Sequence, residues 1–179
     1  MKKKILISTG GSGGHVIPAT IIFEHLKGNF DVFLETDKRG QNYIDSKKYK
    51  FRIFSSVRID NFFNFPIALY KFILIFFDSI DYLKKNNFNI VISTGGYMSV
   101  PTCLAAKFLG LNIFLFEPNM VIGRSNRFFL SFAKKIFCYS KDIKRFPKNK
   151  INKIIIIPSL LKKEIYDLKK KKNKIIIIP

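Results

Sequence analysis

Residues 5–18 read Ile5-Leu6-Ile7-Ser8-Thr9-Gly10-Gly11-Ser12-Gly13-Gly14-His15-Val16-Ile17-Pro18, and the reading of the whole chain starts from them. Ile5 to Ser8 is apolar without alternation, the pattern of a buried parallel strand. Gly10 to Gly14 permit backbone angles and close approaches that a Cβ would block. Pro18 suits the first turn of a helix, where its missing N–H costs nothing. Strand, glycine loop and helix N-terminus together present free amides and a positive dipole end to an anion. The expectation is an anion site for a phosphate-bearing ligand; a tight strand-to-helix turn without a ligand is the alternative. Two familiar fingerprints are excluded. Counted from Gly11, G-x-G-x-x-G needs glycine at position 16, which is Val16. A Walker loop needs Lys and Ser/Thr after its last glycine, where this chain has His15-Val16.

Outward from this stretch the chain alternates. Val16 to Lys27 is expected as a helix, Asp31 to Thr36 as a strand, Asp37 to Gly40 as a turn, Gln41 to Lys48 as a polar helix and Phe51 to Ser55 as a strand. Ile90-Val91-Ile92-Ser93-Thr94-Gly95-Gly96 then repeats Ile5 to Gly11 closely. Such a repeat fits two mononucleotide-binding halves flanking a switch point, or shared strand-to-helix turn chemistry with no common ligand. A helix over Val100 to Leu109, a strand over Asn112 to Phe116, helix over Gly123 to Ala133 and strands at Lys135 to Tyr139 and Asn152 to Pro158 follow. Strands alternating with helices predict an α/β fold, a Rossmann-like parallel sheet with helices on both faces. The heptapeptide Asn152 to Pro158 recurs as Asn173 to Pro179, across a lysine-rich segment. The expected organisation is a domain over 1–160, a linker over 161–173 and, over 174–179, the first strand of a second domain that the chain does not include.

Composition narrows the partners. The 179 residues carry 32 Lys+Arg against 12 Asp+Glu, a formal charge of +20, with 47% hydrophobic residues. That apolar fraction excludes a disordered chain. The charge fits nucleic acid, an anionic membrane surface or anionic substrates, or a genome biased towards Lys, Ile, Asn and Phe. The aromatic and basic interleaving of nucleic-acid modules is missing, so no nucleic acid is expected. Cys103 and Cys138 have no metal-ligand spacing. The run after Met1-Lys2-Lys3-Lys4 is too short for a signal peptide. Phe62 to Tyr82 is Phe- and Ile-rich but interrupted by Lys71, Asp78 and Asp81, so it falls short of a ~20-residue membrane span. It reads as a helix starting near Pro66 with more large apolar side chains than one face buries.

Three loops end parallel strands on one sheet edge: Gly10 to His15, Gly95-Gly96-Tyr97 and Glu117-Pro118-Asn119. They offer amides, an imidazole, a carboxylate, a phenol and a carboxamide, an inventory suited to a sugar diphosphate. There is no D-x-D metal motif and no nucleophile elbow, so no cofactor or metal is expected.

These blocks, with Pro101 four residues after Tyr97 and with Gly123 and Asn126, resemble the N-terminal domain of the MurG family, the lipid-linked N-acetylglucosaminyltransferases of bacterial cell-wall synthesis. The resemblance runs from Lys4 to about Glu164. It implies the N-terminal half of a two-domain, GT-B type enzyme. It implies metal-independent inverting transfer from UDP-N-acetylglucosamine to the muramyl 4-hydroxyl of an undecaprenyl-pyrophosphoryl-muramyl-pentapeptide, at the cytoplasmic side of the inner membrane. His15 becomes the expected base, since histidine is partly unprotonated near neutral pH. Glu117 is a second base or an orienting group. Gly11, Ser12, Gly13 and Asn119 are assigned to UDP-N-acetylglucosamine, and Gly10, Gly14, Gly95, Gly96 and Tyr97 to the acceptor diphosphate. Phe62, Phe63, Phe65 and Lys71 are assigned to the anionic membrane surface. The chain departs from the family at Phe116 (usually His), at Pro118 (usually Gln) and at Lys162, which stands for a donor-contacting arginine and cannot reproduce its fork. A two-chain enzyme, with this chain as acceptor-binding subunit, is the competing enzymatic reading.

Overall fold

The computed structural model describes residues 2–54 and 65–161. The elements are β1 (Lys4–Ser8), α1 (Gly13–Leu26), β2 (Asp31–Thr36), β3 (Phe51–Ile53), α2 (Phe65–Lys85), β4 (Ile90–Ser93), α3 (Val100–Phe108), β5 (Asn112–Glu117), α4 (Arg124–Phe129), β6 (Lys135–Cys138) and β7 (Ile154–Ile156). The described strands form one sheet ordered β3-β2-β1-β4-β5-β6-β7, and every pairing is parallel. The order reverses between β1 and β4, which is where doubly wound sheets place ligands. The two repeats of the sequence are neighbours there and in register: Ile5 faces Ile90, and Ser8 faces Ser93.

Alternation along each strand sends side chains to opposite faces. Ile5, Ile7, Val32 and Leu34 pack with Val16, Ala19 and Phe23 of α1. Leu6, Val91, Ile113 and Ile136 pack on the other face with Leu83 of α2, Cys103 and Ala106 of α3 and Phe129 of α4. On the α1 side, a groove of about 400 Å³ lies among Leu26, Ile90, Phe114, Phe137 and Leu160.

Several expected boundaries move. Helix α1 starts at Gly13, three residues before the expected Val16, so His15 lies in its first turn and Pro18 inside the helix. The expected polar helix over Gln41 to Lys48 is a single 3-10 turn, Gly40–Tyr43. Asp45 ends it: its carboxylate accepts the Lys47 amide at 2.9 Å and its carbonyl accepts the Lys48 amide at 3.0 Å, the local bonding by which Asp competes with helix. The expected helix over Gly123 to Ala133 is regular only as α4, and residues 162–179, with most of the expected linker and the further strand, lie outside the described residues.

Beneath the sheet's carboxyl edge lies a buried ion pair. Glu35 is fully buried at the end of β2. It accepts from Ser8 Oγ at 3.0 Å, from Thr102 Oγ1 and from Arg52 Nε at 2.7 Å, and Arg52 Nη2 lies 2.6 Å from Oε2. Arg52 also stacks 3.6 Å over the Tyr82 ring and reaches Asp78 at 3.3 Å. The cluster joins β1, β2, β3, α2 and α3. Removing one partner of a buried pair strands the other charge, at about 3–5 kcal/mol. Arg52 keeps Asp78 and Tyr82, so Glu35→Gln is expected to cost about 3 kcal/mol, the low end of that range. Urea unfolding of the chain checks this, and an unchanged midpoint would show that the pair contributes nothing net.

Candidate active site at the sheet switch point

The turns after β1 and β4 touch each other. Thr94 Oγ1 donates to Thr9 Oγ1 at 2.7 Å, and Ser93 Oγ accepts the Gly95 amide at 3.1 Å and donates to Ser99 Oγ at 2.9 Å. His15 reaches across from α1: its Nδ1 lies 2.8 Å from the Thr94 carbonyl oxygen. A carbonyl can only accept, so Nδ1 carries the proton and the neutral ring has its lone pair on Nε2. The ring is half-buried. The carboxyl-edge geometry therefore leaves one imidazole nitrogen as a positioned proton acceptor.

Gly95 is the tight point of this arrangement. It has φ +94°, and a Cβ there would sit 3.1 Å from His15 Cε1 and 3.4 Å from Asn126 Nδ2. His15, Gly95 and Asn126 thus converge. Asn126 is buried and donates through Nδ2 to the Phe116 carbonyl and to Glu117 Oε2, both at 3.0 Å. Glu117 is also buried. Its Oε1 accepts from the Asn119 amide at 3.2 Å and from Asn119 Nδ2 at 2.9 Å, and its Oε2 accepts from the Gly123 amide at 2.8 Å. All of these donors are N–H groups that want an ionised acceptor. Glu117 thus ties the Asn119 and Gly123 backbone and the Asn119 and Asn126 carboxamides together. Asn119 is exposed, but its amide nitrogen holds Glu117.

The glycine turn divides its labour differently from the expectation. Gly10 is buried, and a Cβ on it would lie 2.8 Å from Met98 Cβ, so it serves the close packing of two loops rather than an open contact. The Gly11 amide donates to Asp37 Oδ1 at 3.0 Å, which removes it from the donors free for a ligand. Gly13 and Gly14, in the first turn of α1, have amides with no acceptor among the described residues, and no acidic side chain offsets the dipole there. Ser12 is exposed beside them and makes no capping bond. Tyr97 is exposed, and its hydroxyl accepts from Arg39 Nη2 at 3.0 Å.

Asp37, Arg39 and Asn126 join the site without having been expected in it. The signal for the first two was the position of Asp37 to Gly40 at the carboxyl end of β2, on the same sheet edge as the other loops. Among the described residues no group of three His, Cys, Asp or Glu side chains could hold a metal ion. Burial pushes the thiols of Cys103 and Cys138 up to about 12, with the Glu117 charge adding to the effect at Cys138, so neither is a nucleophile at neutral pH.

The geometry predicts the state of the His15 ring. Nitrogen NMR is expected to find the neutral ring protonated at Nδ1. Gly95→Ala should strain the turn by about 1–3 kcal/mol and push the ring off Thr94, so that both tautomers appear. A single Nδ1–H tautomer surviving in the variant would show that Gly95 does not set the ring's position.

Comparison with known proteins finds relatives in sequence and in fold. A protein of Pelagibacter ubique (strain HTCC1062) is 53% identical over 168 residues, which cover 93% of this chain and 47% of the relative. It is named UDP-N-acetylglucosamine–N-acetylmuramyl-(pentapeptide) pyrophosphoryl-undecaprenol N-acetylglucosamine transferase. The chain spans about half the length of the curated relatives it matches. The crystal structure of Acinetobacter baumannii MurG shares the fold, with TM-score 0.74 and 22% identity over 96% of this chain and 50% of that one. A UDP-N-acetylglucosamine 2-epimerase from Rickettsia bellii shares it too, with TM-score 0.65 and 16% identity over 96% of this chain and 48% of that one. The glycosyltransferase family 28 N-terminal domain matches residues 5–138. The chain therefore belongs to glycosyltransferase family 28, through that family's N-terminal domain.

Proposed function

We propose that the protein carrying this chain transfers N-acetylglucosamine from UDP-N-acetylglucosamine to the muramyl 4-hydroxyl of an undecaprenyl-pyrophosphoryl-muramyl-pentapeptide. This chain supplies the acceptor side of the cleft and the base. The observation that carries the reading is the hydrogen bond from His15 Nδ1 to the Thr94 carbonyl at 2.8 Å, which leaves Nε2 as the proton acceptor at the switch point. The name of the Pelagibacter relative supplies the substrates. Nε2 takes the proton of the attacking hydroxyl, the new glycosidic bond forms at the anomeric carbon, and UDP leaves from the opposite side. The proton stays on His15 until solvent removes it. Glu117 holds Asn126 and Asn119 beside this point, with Asn119, Ser12 and the Gly13 amide towards the donor. Gly14, Gly96 and Tyr97 face the acceptor diphosphate, with Gly10 and Gly95 as the tight positions beneath them. Gly11 acts through its bond to Asp37.

The membrane-bound acceptor gives a role to the exposed face of α2. Ile67, Tyr70, Leu74 and Phe77 are exposed along it, Phe108 of α3 is 71% exposed nearby, and the Phe76 and Phe108 rings lie 6.2 Å apart. Exposed apolar patches of this kind mark interfaces. Lys71 is exposed on the same helix, and a basic residue near an anionic leaflet is worth about 1 kcal/mol. The Phe65 backbone opens α2, whereas Phe62 and Phe63, assigned to the same contact, lie outside the described residues. No helix among the described residues is long and apolar enough to cross a membrane. We therefore place the protein peripherally on an anionic surface through this face.

Two experiments test the proposal. This chain, joined to the second half carried by its Pelagibacter relative, should convert the lipid-linked acceptor, and His15→Ala should lower kcat by about 10²-fold or more. The acid limb of the pH–rate profile should vanish in that variant; an unchanged kcat would remove His15 as the base. Separately, the chain should co-sediment with vesicles containing anionic lipid, less so at high salt. Changing Ile67, Tyr70 and Leu74 together to Ser should reduce binding. Undiminished binding by the folded triple variant would reject the α2 face as the contact.

A further inference from the structure

Arg39 stands over the glycine turn, and among the described residues its side chain donates one hydrogen bond, to Tyr97. It lies in the loop after β2, where the sequence reads Thr36-Asp37-Lys38-Arg39-Gly40. Its Nη2 donates to the Tyr97 hydroxyl, 3.0 Å away and 58 residues on, from the loop after β4. The same nitrogen sits 3.5 Å from where a Cβ on Gly11 would be. The guanidinium therefore bridges the mouth between the β2 and β4 loops, beside the helix end whose Gly13 and Gly14 amides have no acceptor among the described residues.

Neutralising Asp37 does not account for this placement. Asp37 is buried, and its Oδ1 accepts from the Gly11 amide at 3.0 Å and the Gly40 amide at 2.8 Å. Its Oδ2 is buried without a hydrogen bond among the described residues, and Arg39 Nε lies 3.5 Å from it, at ion-pair rather than hydrogen-bond distance. An arginine serving only that carboxylate would close a bidentate fork on it. Here Nη2 turns away to Tyr97, and the side chain keeps 46% of its surface open.

We infer that Arg39 is the cationic contact for the diphosphate of the lipid-linked acceptor and that the Tyr97 hydroxyl holds its fork across the mouth. This rests on the acceptor-side reading proposed above. A diphosphate diester carries one negative charge on each phosphate. Planar N–H pairs from the guanidinium match two oxygens of one phosphate, while the Gly14 amide in the first turn of α1 meets the other. Arg39 is thus a positioning and specificity residue that acts on substrate binding rather than on proton transfer.

The test titrates the 179-residue chain calorimetrically with inorganic pyrophosphate and with a dibutyl diphosphate diester. Wild type should bind both. Arg39→Gln should weaken the diester by about tenfold or more, and Arg39→Lys, which keeps the charge but not the fork, by several-fold. Tyr97→Phe should lose a smaller factor that disappears when Arg39 is already Gln. The double variant Asp37→Asn/Arg39→Gln removes the unpaired buried charge. It should remain folded by circular dichroism and still bind poorly, which separates recognition from stability. In the enzyme joined to its second half, Arg39→Gln should raise the acceptor KM with kcat and the donor KM little changed. If Arg39→Gln binds the diester as wild type does, the assignment of Arg39 is overturned while the acceptor site stands. If wild type binds neither probe, the acceptor-side reading and this inference fall together.

Discussion

The pairing of β1 with β4 is the constraint from which the rest follows. Two copies of one local pattern lie side by side, in register from Ile5 and Ile90 to Ser8 and Ser93. Their threonines bond directly, Thr94 Oγ1 to Thr9 Oγ1 at 2.7 Å. Because the strands are parallel, both turns emerge from the same edge. Because the sheet order reverses here, the helices that follow diverge to opposite faces and leave the mouth open. A slip of one residue would turn Ile5 and Ile7 into the α2 face and Leu6 into the α1 face, so burial on both faces enforces the register.

The carboxyl edge is a layer of buried polar groups, and its carboxylates are largely satisfied by the protein itself. Glu35 is held by hydroxyls and by Arg52, Asp37 by two backbone amides, and Glu117 by amides and carboxamides. Each lies at or just after the end of a strand and ties a loop down. These bonds tie the loops that follow β1, β2 and β5, together with α3 after β4, to the sheet edge. His15 differs, because its bond to the Thr94 carbonyl uses Nδ1 as the donor and leaves the Nε2 lone pair unprotonated in the neutral ring. Arg39 differs in the opposite sense, as a cation near a buried carboxylate that directs its fork elsewhere. Imidazole and guanidinium thus approach the same mouth from α1 and from the loop after β2.

Away from the mouth, apolar surface is unevenly covered. The α2 face of the sheet is packed by α2, α3 and α4, yet α2 itself turns Ile67, Tyr70, Leu74 and Phe77 outward. On the α1 side, Phe114 and Phe137 line the groove. Parallel sheets ordinarily have both faces covered. The first surface has Lys71 beside it, whereas the groove is lined by apolar side chains and His25, with no Lys or Arg among its lining residues.

The class of fold, the strand sequence and the switch-point position were legible from residues 5–18 and 90–96, since unbroken β-branched runs stopped by glycines permit few other structures. The glycines at 95 and 96, both at positive φ that favours glycine, were likewise visible, as was the histidine at 15. Boundaries shifted where local side chains competed with periodicity, as Asp45 shows. The tautomer of His15, the saturation of Glu117, the loss of the Gly11 amide to Asp37 and the reach of Arg39 to Tyr97 were decided by tertiary structure. Each depends on a partner far along the chain, 79 residues for His15 and Thr94 and 58 for Arg39 and Tyr97. Local sequence sets which groups a turn carries, but only packing of the sheet sets which of them meet, and a hydrogen bond exists only within about 3 Å.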